Sequence, residues 1–223
     1  MRIVCMSDTH LTHEFYKIIV PEGDVLVHAG DATFRGTKDE IDAFAEWFGS
    51  LPHKRKLFVP GNHDILFQGA LEYGARILRS PLYRPGPIRN IELLCDSGVT
   101  IDGVKFWGSP WQPEFMNWAF NLPRGAPLRA KWAMIPDDTN VLITHGPAYS
   151  IGDNLMDARR VGCEELLERV IRLEKLRLHV FGHIHSGHGV HYLNGATSGK
   201  TFVNASICDP EYKPTNSPIV IDL

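Results

Sequence analysis

The sequence has little cysteine, no long apolar run and no charge excess of one sign. Its four cysteines, Cys5, Cys95, Cys163 and Cys208, lie far apart among 223 residues and form no CxxC pair. That spacing excludes a disulfide framework. Three of them sit in or beside apolar stretches, where cysteine serves as a small core residue. A reducing, cytoplasmic setting is therefore expected. No stretch is long enough to span a bilayer, and the short apolar opening within Met1–His10 is too brief for a signal-peptide core, so no membrane partner is expected. The formal net charge is -3. The longest basic cluster, His53-Lys54-Arg55-Lys56, reads as a solvated turn before a strand. Chains that hold long DNA or RNA usually carry a clustered basic surface, so a long nucleic-acid partner is not expected. Internal repeats, low-complexity tracts and linkers are also missing. The whole chain, 1–223, reads as a single domain with room for a full core.

What is present is a series of short, apolar, partly β-branched runs: Ile3–Met6, Val25–His28, Lys56–Val59, Val141–Thr144 and Leu178–Phe181. Each reads as a buried strand. Lys38–Ser50 spaces Ile41, Phe44, Ala45 and Phe48 as a helix does, and Glu164–Leu176 repeats the pattern with Leu166, Leu167, Val170, Ile171 and Leu173. Arg129–Ile135 reads as a shorter helix. Ile91–Cys95, Val99–Ile101 and Val104–Trp107 read as a meander, with Asp102-Gly103 as a hairpin turn. Lys200–Asn204 and Pro218–Asp222 read as closing strands. Helices alternating with buried strands, plus hairpins, predict an α/β protein with mixed sheets.

The chemistry collects where the five runs end. They terminate in Ser7-Asp8-Thr9-His10, Gly30-Asp31, Gly61-Asn62-His63-Asp64, Thr144-His145-Gly146 and Gly182-His183-Ile184-His185. Ligand sites in α/β sheets form at the carboxyl edge of the strands, so these polar residues are expected to share one crevice. Carboxylate, amide oxygen and imidazole suit Mn, Fe or Zn without any thiolate. Asp8 and His10, like His183 and His185, are two apart, and extended backbone points such residues the same way, so each pair is expected to grip metal together. Glycines beside the ligands leave room for tight turns or a close substrate. Seven candidate ligands, Asp8, His10, Asp31, Asn62, His145, His183 and His185, are too many for one ion. Two ions sharing Asp31 would use them all. With only two anionic ligands, a site holding two divalent ions stays net positive, which suits a phosphate. A water between the ions would lose its proton near neutral pH and attack phosphorus. Any one of these motifs alone is weak; five in order, each after a buried strand, form one constellation.

These blocks resemble those of the calcineurin-like metallophosphoesterase superfamily: DxH, GD, GNH with a following acid, a histidine before glycine, and GHxH. All are intact from Asp8 to His185. The resemblance implies a fold of two packed mixed β-sheets flanked by helices, a four-layer sandwich. It implies that Asp8, His10, Asp31 and His185 hold a first metal and that Asp31, Asn62, His145 and His183 hold a second. Mn²⁺ is expected, with Fe or Zn as alternatives. His63 would contact the phosphate and protonate the leaving oxygen, with Asp64 orienting it. Gly108–Pro113, Trp118–Gly125, Val203–Ser206 and Pro214–Pro218 look like the metallophosphoesterase-domain-containing proteins first noted in animal brain. Those group in activity with class III cyclic nucleotide phosphodiesterases. His188 departs from that pattern, where tyrosine is expected, and it bears on substrate choice.

The expected function is hydrolysis of small phosphodiesters, cyclic nucleotides foremost, by a metal-bridging hydroxide. A phosphomonoesterase, a nuclease and a non-catalytic interaction scaffold are the alternatives; a scaffold would be expected to lack His63 or several ligands. His28, inside an apolar strand, reads as a core histidine with a supporting role as the alternative. His188 reads as a loop histidine. The stretch Ser109–Trp132 gathers Trp111, Phe115, Trp118, Phe120 and Trp132 with Arg124. It is either a packed surface loop or a pocket wall. In the second case an aromatic ring would stack on a base, and Arg124 would bind phosphate with Asn62 and His63. The sequence leaves the oligomeric state open.

Overall fold

A computed structural model describes residues 1–80, 89–193, 195–197 and 199–223. In chain order the strands and helices are β1 (Arg2–Met6), β2 (Val25–His28), α1 (Lys38–Ser50), β3 (Arg55–Phe58), α2 (Leu66–Gly69), α3 (Leu71–Arg79), β4 (Ile91–Leu93), β5 (Ser97–Ile101) and β6 (Val104–Ser109). Then follow β7 (Gln112–Pro113), β8 (Asn121–Leu122), α4 (Ala126–Trp132), β9 (Val141–Thr144), α5 (Glu164–Arg172), β10 (Leu178–Phe181), β11 (Gly189–Tyr192), β12 (Thr201–Asn204) and β13 (Ile219–Asp222).

Two mixed sheets pack face to face. One has the order β13-β1-β2-β3-β4, the other β11-β12-β10-β9-β6-β5. The period-2 alternation of side chains builds the layers. In β1, Ile3 and Cys5 face Val141, Ile143, Val180 and Val203 between the sheets, while Val4 and Met6 face Ile41, Phe44 and Phe48 of α1. On the far side, Leu142, Phe181 and Phe202 meet Trp132 of α4 and Leu166 and Val170 of α5. The result is a helix–sheet–sheet–helix sandwich, as the resemblance implied. Each fully buried large apolar side chain stabilises it by about 1.5–3 kcal/mol. α1 starts where Thr37 and Glu40 cap one another reciprocally: the Thr37 hydroxyl accepts from the Glu40 N–H and the Glu40 carboxylate from the Thr37 N–H.

The expected meander is not formed. β4 pairs in parallel with β3 at the edge of the first sheet, whereas β5 and β6 form a hairpin in the second. The chain thus changes sheets between Leu93 and Ser97, and the three runs never lie side by side. α2 and α3 lie in a stretch for which the sequence pattern sets no helix expectation. Strands β1, β2 and β3 run parallel in one sheet, and β6, β9, β10 and β12 in the other. Past the strand ends, Ser7 and Ser206 form a parallel bridge that ties the sheets together at their carboxyl edges.

Candidate metal centre

Five strands hand their next residues to that shared edge, and the seven expected ligands meet there. Donor atoms of Asp8, His10 and His185 lie within 4.8 Å of one another, and so do those of Asp31, His145 and His183. A third such group is His10, Asp31 and His63. Asp31 belongs to two groups. Its Oδ2 stands 3.3 Å from His145 Nε2 and 3.9 Å from His10 Nε2, where a carboxylate bridging two halves would sit. Asn62 Oδ1 is 3.0 Å from His145 Nε2. The pairwise expectation fails for one pair: His183 and His185 go to different groups. The backbone is not extended there, since His183 has φ +67°, and Asp8, His10 and Asp31 are also left-handed, at +51°, +40° and +54°. Such conformations are rare for residues with a Cβ and cluster at functional sites.

The histidine tautomers show what the site is built to hold. His10 Nδ1 lies 3.1 Å from the Thr33 carbonyl, His145 Nδ1 3.0 Å from Ala29, and His185 Nδ1 2.9 Å from Asp209. A carbonyl oxygen can only accept, so each Nδ1 carries a hydrogen, and in its neutral form each ring turns a lone pair inward on Nε2. Those lone pairs face one another and the carboxylates. His10 and His185 Nε2 atoms are 3.4 Å apart, and His185 Nε2 is 3.4 Å from Asp8 Oδ1. Only protons or metal ions reconcile acceptors packed this closely. The donor set therefore fits divalent cations.

The charges agree. Burial alone would raise Asp8, but His185, His145 and His10 outweigh it and hold the carboxyl well below the usual range. Asp31 is likewise held down against burial, chiefly by His145. Burial lowers His145, yet Asp31 and Asp8 reverse this and lift it to about 9. Burial pushes His183 down to about 3 and His10 to about 4. Ser7 and Ser206 hydroxyls donate to Asp8 Oδ2 at 2.6 and 2.8 Å, and the His183 N–H donates to the same carboxylate. Two glycines are required by close approach. A Cβ on Gly61 would lie 2.2 Å from Asp31 Oδ1, and one on Gly182 would lie 2.0 Å from Asp8 Oδ2.

His63 lines the cavity over this cluster. Its Nδ1 donates to the Phe34 carbonyl at 2.8 Å, leaving Nε2 as the nitrogen available to a substrate. The expected contact from Asp64 is replaced by that carbonyl. Asp64 accepts instead from the N–H groups of Ala32, Thr33 and Gly61 and from the Thr33 hydroxyl, tying the loops after β2 and β3 together. Burial and the nearby Asp31 raise Asp64 to about 6. Arg124 lines the cavity, but its guanidinium donates to the Gly162 and Val161 carbonyls at 2.8 and 2.9 Å.

The aromatic stretch divides in two. Trp118 stacks on His63 with centroids 4.1 Å apart, and Phe115 stands 5.7 Å from His183. Phe120 and Trp132 are buried core, and Trp111 Nε1 donates to Asp96. His28 is a core histidine that also bonds Thr9, between the expected ligands Asp8 and His10, at 2.9 Å. His188 is half-buried and does not line the cavity. Sequence reasoning missed Ser206, Gln112 and Tyr212. Ser206 was findable: β12 also ends in polar residues, and a sixth strand end belonged with the other five. Gln112 donates to Asn62 Oδ1 at 3.3 Å.

The cavity above the cluster has a volume of about 430 Å³. A larger hollow of about 660 Å³ opens at the opposite, amino edge, lined by Glu22, Asp24, His53, Lys54, Arg55 and Asp102 among others. It contains none of the ligand clusters, and size alone does not make it the site.

Sequence comparison agrees with this geometry. The calcineurin-like phosphoesterase model matches residues 1–187. The chain belongs to the calcineurin-like phosphoesterase family, a class of hydrolases whose members typically hold two divalent metals, and the clusters described above fit such ions. It is 45% identical over 238 residues to metallophosphoesterase domain-containing protein 1 of Homo sapiens, covering 100% of this chain and 71% of that protein. A UPF0046 protein of Caenorhabditis elegans is 39% identical over 234 residues, covering 100% of this chain and 81% of the relative. A 3′,5′-cyclic-nucleotide phosphodiesterase of a Nostoc species is 27% identical over 194 residues, covering 83% of this chain and 66% of the relative. Among the described residues, no helix is long and apolar enough to cross a membrane.

Proposed function

We propose that this protein is a two-metal phosphodiesterase acting on small phosphodiesters, with 3′,5′-cyclic nucleotides as the physiological class, and that residues 1–223 form one domain. The observation that carries the metal reading is the inward convergence of His10, His145 and His185 Nε2 on Asp8 and Asp31. The cyclic nucleotide reading is supported by the Nostoc relative's name and by a cavity roomier than a phosphate alone requires. Asp8, His10, Asp31 and His185 would hold one ion, and Asp31, Asn62, His145 and His183 the other, with Mn²⁺ as the first choice. Bound there, divalent ions would acidify water and offset the phosphate's charge.

The chain's own residues do the rest. Asn62 and His63, on the loop after β3, meet the phosphate. His63 is fixed by the Phe34 carbonyl and by the stacked Trp118, so its Nε2 faces the substrate. A water oxygen attacks phosphorus and releases a proton to solvent, the P–O ester bond breaks, and the leaving alkoxide takes a proton from His63 Nε2. Asp64 contributes by holding the backbone that carries His63. Arg124 shapes the wall on the side of Val161 and Gly162.

A substrate panel tests this: bis-p-nitrophenyl phosphate, p-nitrophenyl phosphate, 3′,5′- and 2′,3′-cyclic nucleotides and short DNA, each with and without Mn²⁺. Preference for diesters and turnover of cyclic nucleotides are expected. Cleavage of the monoester alone would overturn the substrate class, and metal-free activity would overturn the mechanism.

A further inference from the structure

Tyr212 lies outside every strand and helix, yet its backbone is held in the left-handed region at φ +60°. A bulky residue rarely sits there, because its Cβ crowds the carbonyl oxygen. Asp209 builds the turn that imposes this. Its carboxylate accepts from the N–H groups of Glu211 and Lys213, at 3.0 and 2.9 Å, and from the Thr215 hydroxyl at 3.3 Å. Its carbonyl accepts from Tyr212 N–H at 2.9 Å and from His185 Nδ1 at 2.9 Å. One peptide oxygen thus sets both a ligand ring and the strained aromatic. The Tyr212 ring ends 4.9 Å from His10, 5.1 Å from His185 and 6.5 Å from His63, centroid to centroid, and lines the same cavity.

Tyr212 is nevertheless 45% exposed. A side chain kept only to fill space would be buried, and backbone strain retained on a half-open ring above a ligand cluster marks a surface that meets something else. Phe115, 47% exposed, stands over His183 of the other cluster. The two rings therefore flank the centre at its two halves. The same cavity is also lined by the apolar Pro147, Leu155 and Pro210, beside the polar Gln112, Glu114 and Arg124. An inorganic phosphate would use none of this surface, whereas a flat organic substituent would.

We propose that Tyr212 is a specificity residue whose ring, together with Phe115, receives an aromatic substituent carried by the phosphoester. This rests on the phosphodiesterase reading above and adds what the ester must carry. Stacking of a flat ring on such a side chain is expected to be worth about tenfold in binding.

The test uses the manganese-loaded full chain as wild type, Tyr212→Phe, Tyr212→Ala and Tyr212→Gly. Bis-p-nitrophenyl phosphate and methyl p-nitrophenyl phosphate share a leaving group and differ only in the group that stays on phosphorus. Tyr212→Ala and Tyr212→Gly should raise KM for the bis-aryl ester about tenfold more than for the methyl ester, with the loss in KM rather than kcat. Tyr212→Phe should restore wild-type discrimination. Metal content should match wild type, and Tyr212→Gly should melt at or above the wild-type temperature because glycine relieves the left-handed backbone. Equal losses on both esters, no loss on either, or loss of metal would overturn the proposal; the last would make Tyr212 a prop for His10 and His185. Calorimetric binding of phenylphosphonate against methylphosphonate gives a second readout. If wild type cleaves neither diester but prefers phenylphosphonate through Tyr212, the reaction falls and this proposal stands. If it cleaves both and binding ignores Tyr212, the proposal falls and the reaction stands.

Discussion

Two sets of histidines stand close together in this protein and differ in what their ring nitrogens meet. His10, His145 and His185 lie just past strand ends, give Nδ1–H to a backbone carbonyl and turn Nε2 toward carboxylates. His28 and His179 lie inside β2 and β10, fully buried, with Nε2 on a threonine hydroxyl and phenylalanines packed around the ring. The Thr144 hydroxyl already donates to the Gly146 carbonyl at 2.7 Å, so His179 must donate from Nε2, and its Nδ1 is left without a partner. Burial pushes both His28 and His179 down to about 3. Burial acts on both sets. What distinguishes them is whether a backbone carbonyl has claimed Nδ1 and left Nε2 facing anions.

The largest test of that contrast is removal of metal. Thorough chelation should abolish hydrolysis, and Mn²⁺ should restore it. His145→Ala should lose one ion per chain by elemental analysis, whereas His179→Leu should lose none. Next comes His63, which follows the proposed ligand Asn62. His63→Ala should slow turnover by about 10²–10⁴-fold while metal content stays at the wild-type level. The defect should be smaller for a nitrophenyl leaving group than for a ribose alkoxide, since nitrophenolate leaves without a proton. Loss of metal in that variant would make His63 a ligand, consistent with its grouping with His10 and Asp31.

The inner histidines should instead reveal themselves in acid. Their folded pKa lies below the unfolded value of about 6.5, so the unfolded chain binds more protons between about pH 6.5 and 3. Their contribution is intact above pH 6.5 and is lost as pH falls through that window, by a few kcal/mol at most, on the order expected for a fully buried group. His179→Leu should flatten the acid limb of denaturant-melt stability against pH; an unchanged limb would mean that His179 protonates without cost. The smallest expected effect belongs to the amino edge. Lys54→Ala, in the larger hollow, should leave kcat/KM within about twofold and stability within about 0.5 kcal/mol.

Much of this was legible because parallel strands are short, apolar and end abruptly. The five runs stood out, and so did the polar residues after each. A spacing of two does not fix direction here, because the backbone is left-handed rather than extended at Asp8, His10 and His183 alike, and only Asp8 and His10 share a group. The meander was misread because apolar alternation fixes a strand's face but not its neighbour: β4 and β5 are close in sequence and lie in different sheets. Asp64 was assigned to an imidazole and instead binds backbone amides, which no side-chain motif encodes. Tyr212 gave no signal because only a turn built by Asp209 brings it to the site.

The bridge between Ser7 and Ser206 also has a consequence in time. Asp8 accepts from His183, 175 positions later, and from Ser206, 198 positions later. During synthesis the first sheet's central strands and four expected ligands, Asp8, His10, Asp31 and Asn62, are made long before their partners exist. The Asp8 end of the centre cannot close until β10 and then β12 have emerged, because loops this long must be drawn in before their contacts reward it. An ion that binds only the closed form then acts as a latch across the whole chain, favouring the finished molecule over every shorter nascent intermediate. Manganese should therefore slow unfolding of the complete protein and leave a ribosome-stalled chain ending before β10 as protease-sensitive as it is without metal.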